Sequence, residues 1–443
     1  MARSPFLSWS TWRDLFSGRL PGQVVIQFTT ACNAACVQCG MRRTSREPRH
    51  TMDVDALKRE IDAMAAQGVK AVSFTGGEPL LHLDAVAELM RHADAAGIPY
   101  VRTGTNGFLF TGAEKPGFEA RVAKVADTLA DTPMNAFWIS LDSADPATHE
   151  ANRGLPGVVE GIRRALPVFH ERGIFPAANL GINRLTGGPG AIPGPPESEL
   201  AFDDEAFIRA FQGAFRAFYS FAEELGFATV NACYPMSLDP AEAEAGAVYA
   251  ATSEDDFIRF LPREKAAMLR ALYTVIPEFR HRLRIFTPRS SVLALMRQHL
   301  GLDKGAFPCR GGIDFFFLDA EDMHAYPCGY RGAEDLGPFS GLDVRALDAS
   351  AVCERCDWEC FRDPSALALP LLSALRNPLA FGAGLPQGCG YLRDWWEDLR
   401  YYKACGWFDC RRAPDRRAMA RFAPGRVGRG SGAPLGAART AHR

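Results

Sequence analysis

Three cysteines, Cys32, Cys36 and Cys39, crowd into eight residues of the stretch "TTACNAACVQCGM" (29–41). Three thiols are one short of a closed tetrahedral zinc site and an odd count for a disulfide framework. Their C-x3-C-x2-C spacing suits an iron–sulfur cluster held by thiolates. One short loop can wrap three irons and leave the fourth corner open to a small molecule. A second set stands in the C-terminal third. Cys309 and Cys328 flank a hairpin-like stretch, and Cys353, Cys356 and Cys360 follow as C-x2-C-x3-C. Most of the chain's twelve cysteines are thus clustered at short spacings, which in a reducing compartment points to metal rather than disulfides.

The elements that must position these thiols follow from the texture between residues 24 and 235. Short β-rich runs are "VVIQFTT" (24–30), "AVSFTG" (71–76), "YVRTGTN" (100–106), "AFWISLDS" (136–143), "FPAANLGIN" (175–183) and "ATVNACY" (228–234). Helical patterns lie between them. One starts at Asp53, carries Leu57, Ile61 and Met64 on one face and stops at Gly68; another carries Val86, Leu89, Met90 and Ala93 and stops at Gly97. Strands alternating with helices predict a parallel sheet, either open and doubly wound or an incomplete barrel. The polar and glycine-rich residues follow the strands and precede the helices, on the edge where parallel α/β active sites assemble. On that edge "RLTGGPGAIPGPPESE" (184–199) reads as a solvated loop or as a lid. Residues 240–300 read as mostly helical, and "IDFFFLD" and "MHAYPC" as two strands joined by a polar turn. From Arg411 onward nine arginines face a single Asp amid Gly, Ala and Pro, which predicts a disordered tail. A basic arm for an acidic partner is the other reading, disfavoured by the absence of interleaved aromatics.

The bulk numbers bound the rest. With 443 residues the chain is longer than one small core uses. A composition of 47% hydrophobic and 23% charged residues is that of a globular protein. The net charge of −2 gives no reason to infer a nucleic-acid partner. No run approaches the roughly 18 apolar residues of a membrane helix, and the start lacks the apolar core of a signal peptide. The expected location is cytoplasmic.

Further motifs follow the first cysteine loop in order: "GGEP" (Gly76, Gly77, Glu78, Pro79), "TNG" (Thr105, Asn106, Gly107), "SLDS" (Ser140–Ser143), Arg153 in "NRG", and Asn183 ending the fifth run. With them the sequence resembles the radical S-adenosylmethionine (SAM) superfamily over residues 22–365. The resemblance implies an α/β fold: a partial (β/α)6 barrel, then a small cysteine-rich α+β domain with a β-hairpin, similar to the twitch or SPASM type. It implies a [4Fe–4S] cluster with an open iron on Cys32, Cys36 and Cys39, which chelates SAM and cleaves it reductively to a 5′-deoxyadenosyl radical. Gly76, Gly77, Glu78, Pro79, Thr105, Asn106, Ser140, Asp142, Arg153 and Asn183 are the implied SAM-binding positions. Glu78 would meet the methionyl ammonium and Arg153 the carboxylate. Each has a plain structural reading too, as a turn, a cap or an ion pair. Gln38 departs from the family, whose residue there is often aromatic and packs on adenine.

The resemblance further implies an auxiliary [4Fe–4S] cluster on Cys309, Cys328 and two of Cys353, Cys356 and Cys360. A structural zinc is the competing reading, and Cys389, Cys405 and Cys410 match no specific pattern. The expected divisions are the barrel at 22–235, a helical connection at 236–305, the auxiliary domain at 306–365, a helical extension at 366–410 and the tail at 411–443. The implied activity is hydrogen abstraction from a small-molecule substrate, with a reducing partner such as flavodoxin or ferredoxin. Alternatives are a peptide- or protein-modifying maturase, disfavoured by the short stretch before the first strand, and a non-catalytic iron–sulfur or zinc protein.

Overall fold

The computed structural model describes residues 9–39, 48–196, 201–235, 256–302, 306–350, 353–376, 388–406 and 409–425. The fold is α/β. Among the described residues nine strands are present: β1 (Gly22–Thr29), β2 (Val69–Gly76), β3 (Tyr100–Thr105), β4 (Ala136–Leu141), β5 (Ala177–Gly181), β6 (Thr229–Cys233), β7 (Arg284–Ile285), β8 (Phe315–Leu318) and β9 (Ala325–Tyr326). They form one sheet in the order β7-β6-β5-β4-β3-β2-β1-β8-β9. Neighbours run parallel except β8 and β9, which are antiparallel.

The helices are α1 (Trp9–Phe16), α2 (Val54–Ala66), α3 (Leu83–Ala95), α4 (Phe118–Ala130), α5 (Pro146–Arg153), α6 (Val158–Glu171), α7 (Asp204–Leu225), α8 (Pro262–Phe279), α9 (Arg289–His299), α10 (Glu359–Arg376), α11 (Gly388–Cys405) and α12 (Arg416–Met419). Asp53 caps α2, its carboxylate accepting from Ala56 N at 2.8 Å. Leu57, Ile61 and Met64 of α2, with Val86, Leu89 and Met90 of α3, are buried in one cluster with Val24, Ile26, Val72 and Phe74 of the sheet. Side chains alternate between the faces of a strand. On β4, buried Phe137, Ile139 and Leu141 alternate with half-buried Trp138 and Ser140, which line the cavity side.

Two features of the sheet depart from the sequence reading. Within the stretch expected to be helical, Arg284–Ile285 adds a parallel strand beside β6; two residues are too few for periodicity to register. The hairpin is present, but β8 pairs in parallel with β1 from Gln23–Phe315 to Ile26–Leu318. It therefore extends the main sheet. The glycine- and proline-rich stretch is also not freely solvated over its described part. Arg184 donates to Pro193 O at 2.8 Å, Asp256 O at 2.8 Å, Arg259 O at 3.0 Å and Glu264 Oε1 at 2.8 Å. Residues 197–199 of that stretch lie outside the described residues.

The arginine-rich tail needs a correction over 411–425. Asp415 caps α12 through Ala418 N at 2.8 Å, Met419 is fully buried, and Phe422 packs edge-on against Tyr401. An apolar pair three residues apart is enough to dock the segment, and the arginines around it hid the signal. Residues 426–443 lie outside the described residues.

Helix α11 is locked to the sheet through polar groups. Tyr401 Oη accepts from Ile285 N at 2.8 Å, and Asp398 accepts from Arg289 N at 3.2 Å and from Ser290 N at 2.9 Å, capping α9 from a distance. Asp398 also pairs with Arg280, and both are buried. Asp398→Ala strands the guanidinium and two helix-end amides. Its unfolding free energy should fall by about 3–5 kcal/mol, read from urea denaturation; a loss below about 1 kcal/mol would show the pair to be dispensable.

Candidate functional site

The first cysteine loop leaves the sheet at the end of β1 and is clamped to the end of β2. Gly77 N donates to Thr29 O at 2.7 Å and Glu78 N to Ala31 O at 2.8 Å. There is no room for side chains here. A Cβ on Gly76 would lie 2.2 Å from Thr29 O, and one on Gly77 2.1 Å from Ala31 O. Gly76 also has a φ of +132°, where glycine alone is unstrained. Ala35 N donates to Arg153 O at 2.7 Å, which rests the loop on the end of α5. Asn106 Nδ2 reaches Cys32 Sγ at 3.6 Å and Asn33 Oδ1 at 3.1 Å.

Cys32, Cys36, Cys39, Glu78, Thr105, Asn106, Ser140 and Asp142 line one cavity of about 290 Å³. Gly76, Gly77 and Pro79 form its edge, Pro79 opening the short turn that Glu78 caps. Glu78 is fully buried, and its carboxylate accepts from Asn106 N at 2.6 Å and Leu80 N at 3.1 Å. Burial outweighs those bonds and pushes its pKa up to about 7. A bound cation would find an acid that gains from its charge.

Two implied SAM contacts sit differently from expectation. Arg153 grips Asp142 with two bonds of 2.8 and 2.7 Å, and both groups are buried. Burial alone would raise the Asp142 pKa, but Arg153 and then His149 hold it below the usual range. The guanidinium expected to bind a carboxylate of SAM is therefore already paired within the protein. Gln38 donates to Asp142 Oδ2 at 2.9 Å, so the residue that departs from the aromatic pattern buttresses this pair. Arg153 nevertheless lines the cavity, whereas Asn183 turns away from it. Its Nδ2 donates to Asp142 O at 2.8 Å and Gly181 O at 2.7 Å, and its Oδ1 accepts from Leu185 N at 2.6 Å. It closes a turn.

The second cysteine set divides. Cys309 and Cys328 are buried, Cys309 N donates to Cys353 O at 2.8 Å, and Gly311 N points at Cys309 Sγ at 3.3 Å. The thiols of Cys353 and Cys356 fall within electrostatic reach of these two. Cys360 does not join them: α10 begins at Glu359, and its first turn aims Cys360 Sγ at Glu359 Oε1, 3.6 Å away. Among the described residues no three of these thiols approach within 4.8 Å of one another. A zinc tetrahedron with bonds of 2.3 Å would need edges of about 3.8 Å, so the spacing is wider than a single-ion site. Cys410 bonds to Asn135 and Phe175, just ahead of β4 and β5, and Cys405 contacts Tyr402 O. Both lie at the opposite end of the sheet. The side chain of Cys389 lies outside the described residues.

Trp138, Trp358 and Glu359 also line the cavity, and sequence reasoning passed over them. Trp138 was readable as the member of the Trp138–Ser140–Asp142 alternation nearest the strand's start. Glu359 was hidden as the neighbour of Cys360.

Residues 26–197 match the family model described as the radical SAM superfamily. The chain is 23% identical over 348 residues to an AdoMet-dependent heme synthase of Methanosarcina barkeri, covering 78% of this chain and 86% of that protein. A GTP 3′,8-cyclase of Chlorobaculum tepidum is 33% identical over 129 residues, 29% of this chain and 35% of that protein. Among solved structures, anSMEcpe with bound AdoMet and a peptide aligns at a TM-score of 0.48 and 15% identity, over 86% of this chain and 96% of that one. SuiB of Streptococcus suis bound to S-adenosylmethionine aligns at 0.47 and 14%, over 84% and 73%.

Beside the Asp142–Arg153 pair, buried His149 accepts from Asp142 N through Nδ1 at 3.1 Å. Burial lowers its pKa from 6.5 to about 4, so the unfolded chain binds the extra proton between those values. Stability is then complete above pH 6.5 and declines as the pH falls toward 4, by about 3 kcal/mol from this group. His149→Gln, which keeps an acceptor, should flatten the decline in urea midpoints measured across that window. An unaltered slope would assign it to other groups.

Proposed function

The chain is a radical SAM enzyme whose family domain spans residues 26–197, and we propose that it cleaves SAM reductively to abstract hydrogen from a small-molecule substrate. One observation carries this: three half-buried or exposed thiols and a fully buried glutamate face a single cavity, held together by two glycines that admit no side chain. Those residues fit the cofactors. Bound there, a [4Fe–4S] cluster with an open iron and SAM supply one-electron cleavage of a sulfonium and a hydrogen-abstracting group.

Cys32, Cys36 and Cys39 would hold the cluster, with Asn106 Nδ2 directed at the Cys32 sulfur. Glu78 offers a buried acceptor for the ammonium of SAM, and the backbone at Gly76 and Gly77 allows close approach. Thr105 and Ser140 supply hydroxyls at the wall. Asp142 and Arg153, paired with each other at the cavity wall, position the loop. Cys309, Cys328, Cys353 and Cys356 would hold an auxiliary [4Fe–4S] cluster, and Trp358 stands between that group and the cavity. A small molecule as substrate is supported by the relatives named for making heme and for cyclising GTP. A reducing partner of the flavodoxin or ferredoxin class would supply the electron.

Anaerobic incubation with SAM and dithionite should yield 5′-deoxyadenosine. Replacing Cys32, Cys36 and Cys39 together with Ala should abolish it, and formation at the native rate would defeat the reading. Iron should measure about eight per chain, two cubanes, and about half that in a Cys309→Ala, Cys328→Ala variant that still cleaves SAM. Zinc at the second site would replace the auxiliary cluster with a structural ion.

A further inference from the structure

Beneath the first cavity lies a second chamber of about 160 Å³. The two share Thr75, Trp138, Asn179, Cys233, Trp358 and Glu359 as a common wall. Trp138 lies flat across Gly104, where a Cβ would come 2.0 Å from Nε1. The indole thus divides the space under the cysteine loop into an upper and a lower room.

The lower room has a polarised lining. Arg102 bonds to Ser73 Oγ through Nε, while its Nη2 is buried with no hydrogen-bond partner among the described residues. Glu359, also buried, comes close enough to feel the Arg102 charge. Asn179 Oδ1 is occupied by Asn231 Nδ2 at 2.8 Å and the Cys233 thiol at 3.3 Å. Leaving a buried guanidinium N–H without an acceptor is costly. Among the described lining groups none supplies that acceptor.

We propose that the lower room binds the carboxylate end of the substrate, with Arg102 as the residue that reads it and Glu359 taking an N–H or O–H of the same molecule. This rests on the enzymatic reading above and narrows its substrate class. A guanidinium fork matches a carboxylate. One guanidinium facing one glutamate suits a monoanion that also carries a donor; a phosphate dianion would be repelled by Glu359. The indoles of Trp138 and Trp358, with Phe286, suit an apolar or aromatic frame. Anchored below, the molecule extends its remaining carbons past Trp138 into the room that Glu78 and the cysteine loop line. Arg102 is thus a specificity residue, outside the cavity that Cys32, Cys36 and Cys39 line.

The test compares hydrocinnamate with its uncharged isostere hydrocinnamamide, by ligand-observed NMR on the anaerobically purified, cluster-loaded enzyme. The acid should bind roughly ten- to a hundredfold tighter than the amide. Arg102→Gln should erase that preference and Arg102→Lys should retain part of it. Should Arg102→Gln not fold, the acid–amide comparison on the wild type and the Lys variant decides. Equal binding of acid and amide, binding of neither at millimolar concentration, or a preference that survives in Arg102→Gln would each overturn the assignment. A water filling the room would give the first or second of these. Formation of 5′-deoxyadenosine by the wild type is scored separately, so failure of the carboxylate site and failure of the enzymatic reading are distinguishable.

Discussion

Two backbones, at residues 29–31 and 76–78, approach more closely than the first carbon of any side chain permits, and the site depends on that approach. Parallel strands normally diverge into separate loops once their ladder ends. Here Gly76 and Gly77 let the hydrogen bonding run past the strand ends, from Gly77 N to Thr29 O and from Glu78 N to Ala31 O. The cysteine loop thereby inherits the rigidity of the sheet, as a pre-organised site requires. Glu78 is delivered to the same cavity by the same contact.

Buried charge then fixes which segments meet. Arg153 joins α5 to the end of β4 through Asp142, and Arg184 joins the glycine-rich loop to α8 through Glu264. Asp357, next to Cys356, is gripped by Lys265 at 2.9 Å and His299 at 3.0 Å. Burial alone would raise the Asp357 pKa, but Lys265 and then His299 hold it far below the usual range. Such pairs are weak sources of net stability. Their effect is selective, since a misplaced segment would strand a charge. The second cysteine loop is held to α8 and α9 in this way.

Local signals were legible in the sequence, and long-range partnerships were not. The cysteine spacing, "GGEP" and the helix faces of Leu57–Ile61–Met64 and Val86–Leu89–Met90 each lie within one or two turns of chain, so type and spacing suffice to read them. Arg153 was recognisable as a functional cation, but its partner Asp142 was equally recognisable as a ligand; only geometry shows that they satisfy each other. Cys360 follows Cys356 at a plausible interval, yet a helix starts between them and turns it away. The pairing of β8 with β1 joins residues nearly three hundred positions apart, beyond any periodicity. Met419 and Phe422 were masked by the charge around them.

The pairing of β8 with β1 orders events during synthesis. Until Phe315–Leu318 has been made and docked, the β1 edge presents open backbone groups, a surface prone to wrong partners. Closing a contact of such sequence separation is intrinsically slow, and chains of this length pass through partly folded states while they wait. The first cysteine loop sits directly after that edge strand. The contacts that hold it, from Gly77 N to Thr29 O, from Glu78 N to Ala31 O and from Ala35 N to Arg153 O, all fall within residues 29–153, so the loop can take its shape while the other edge of its own strand still waits for a partner.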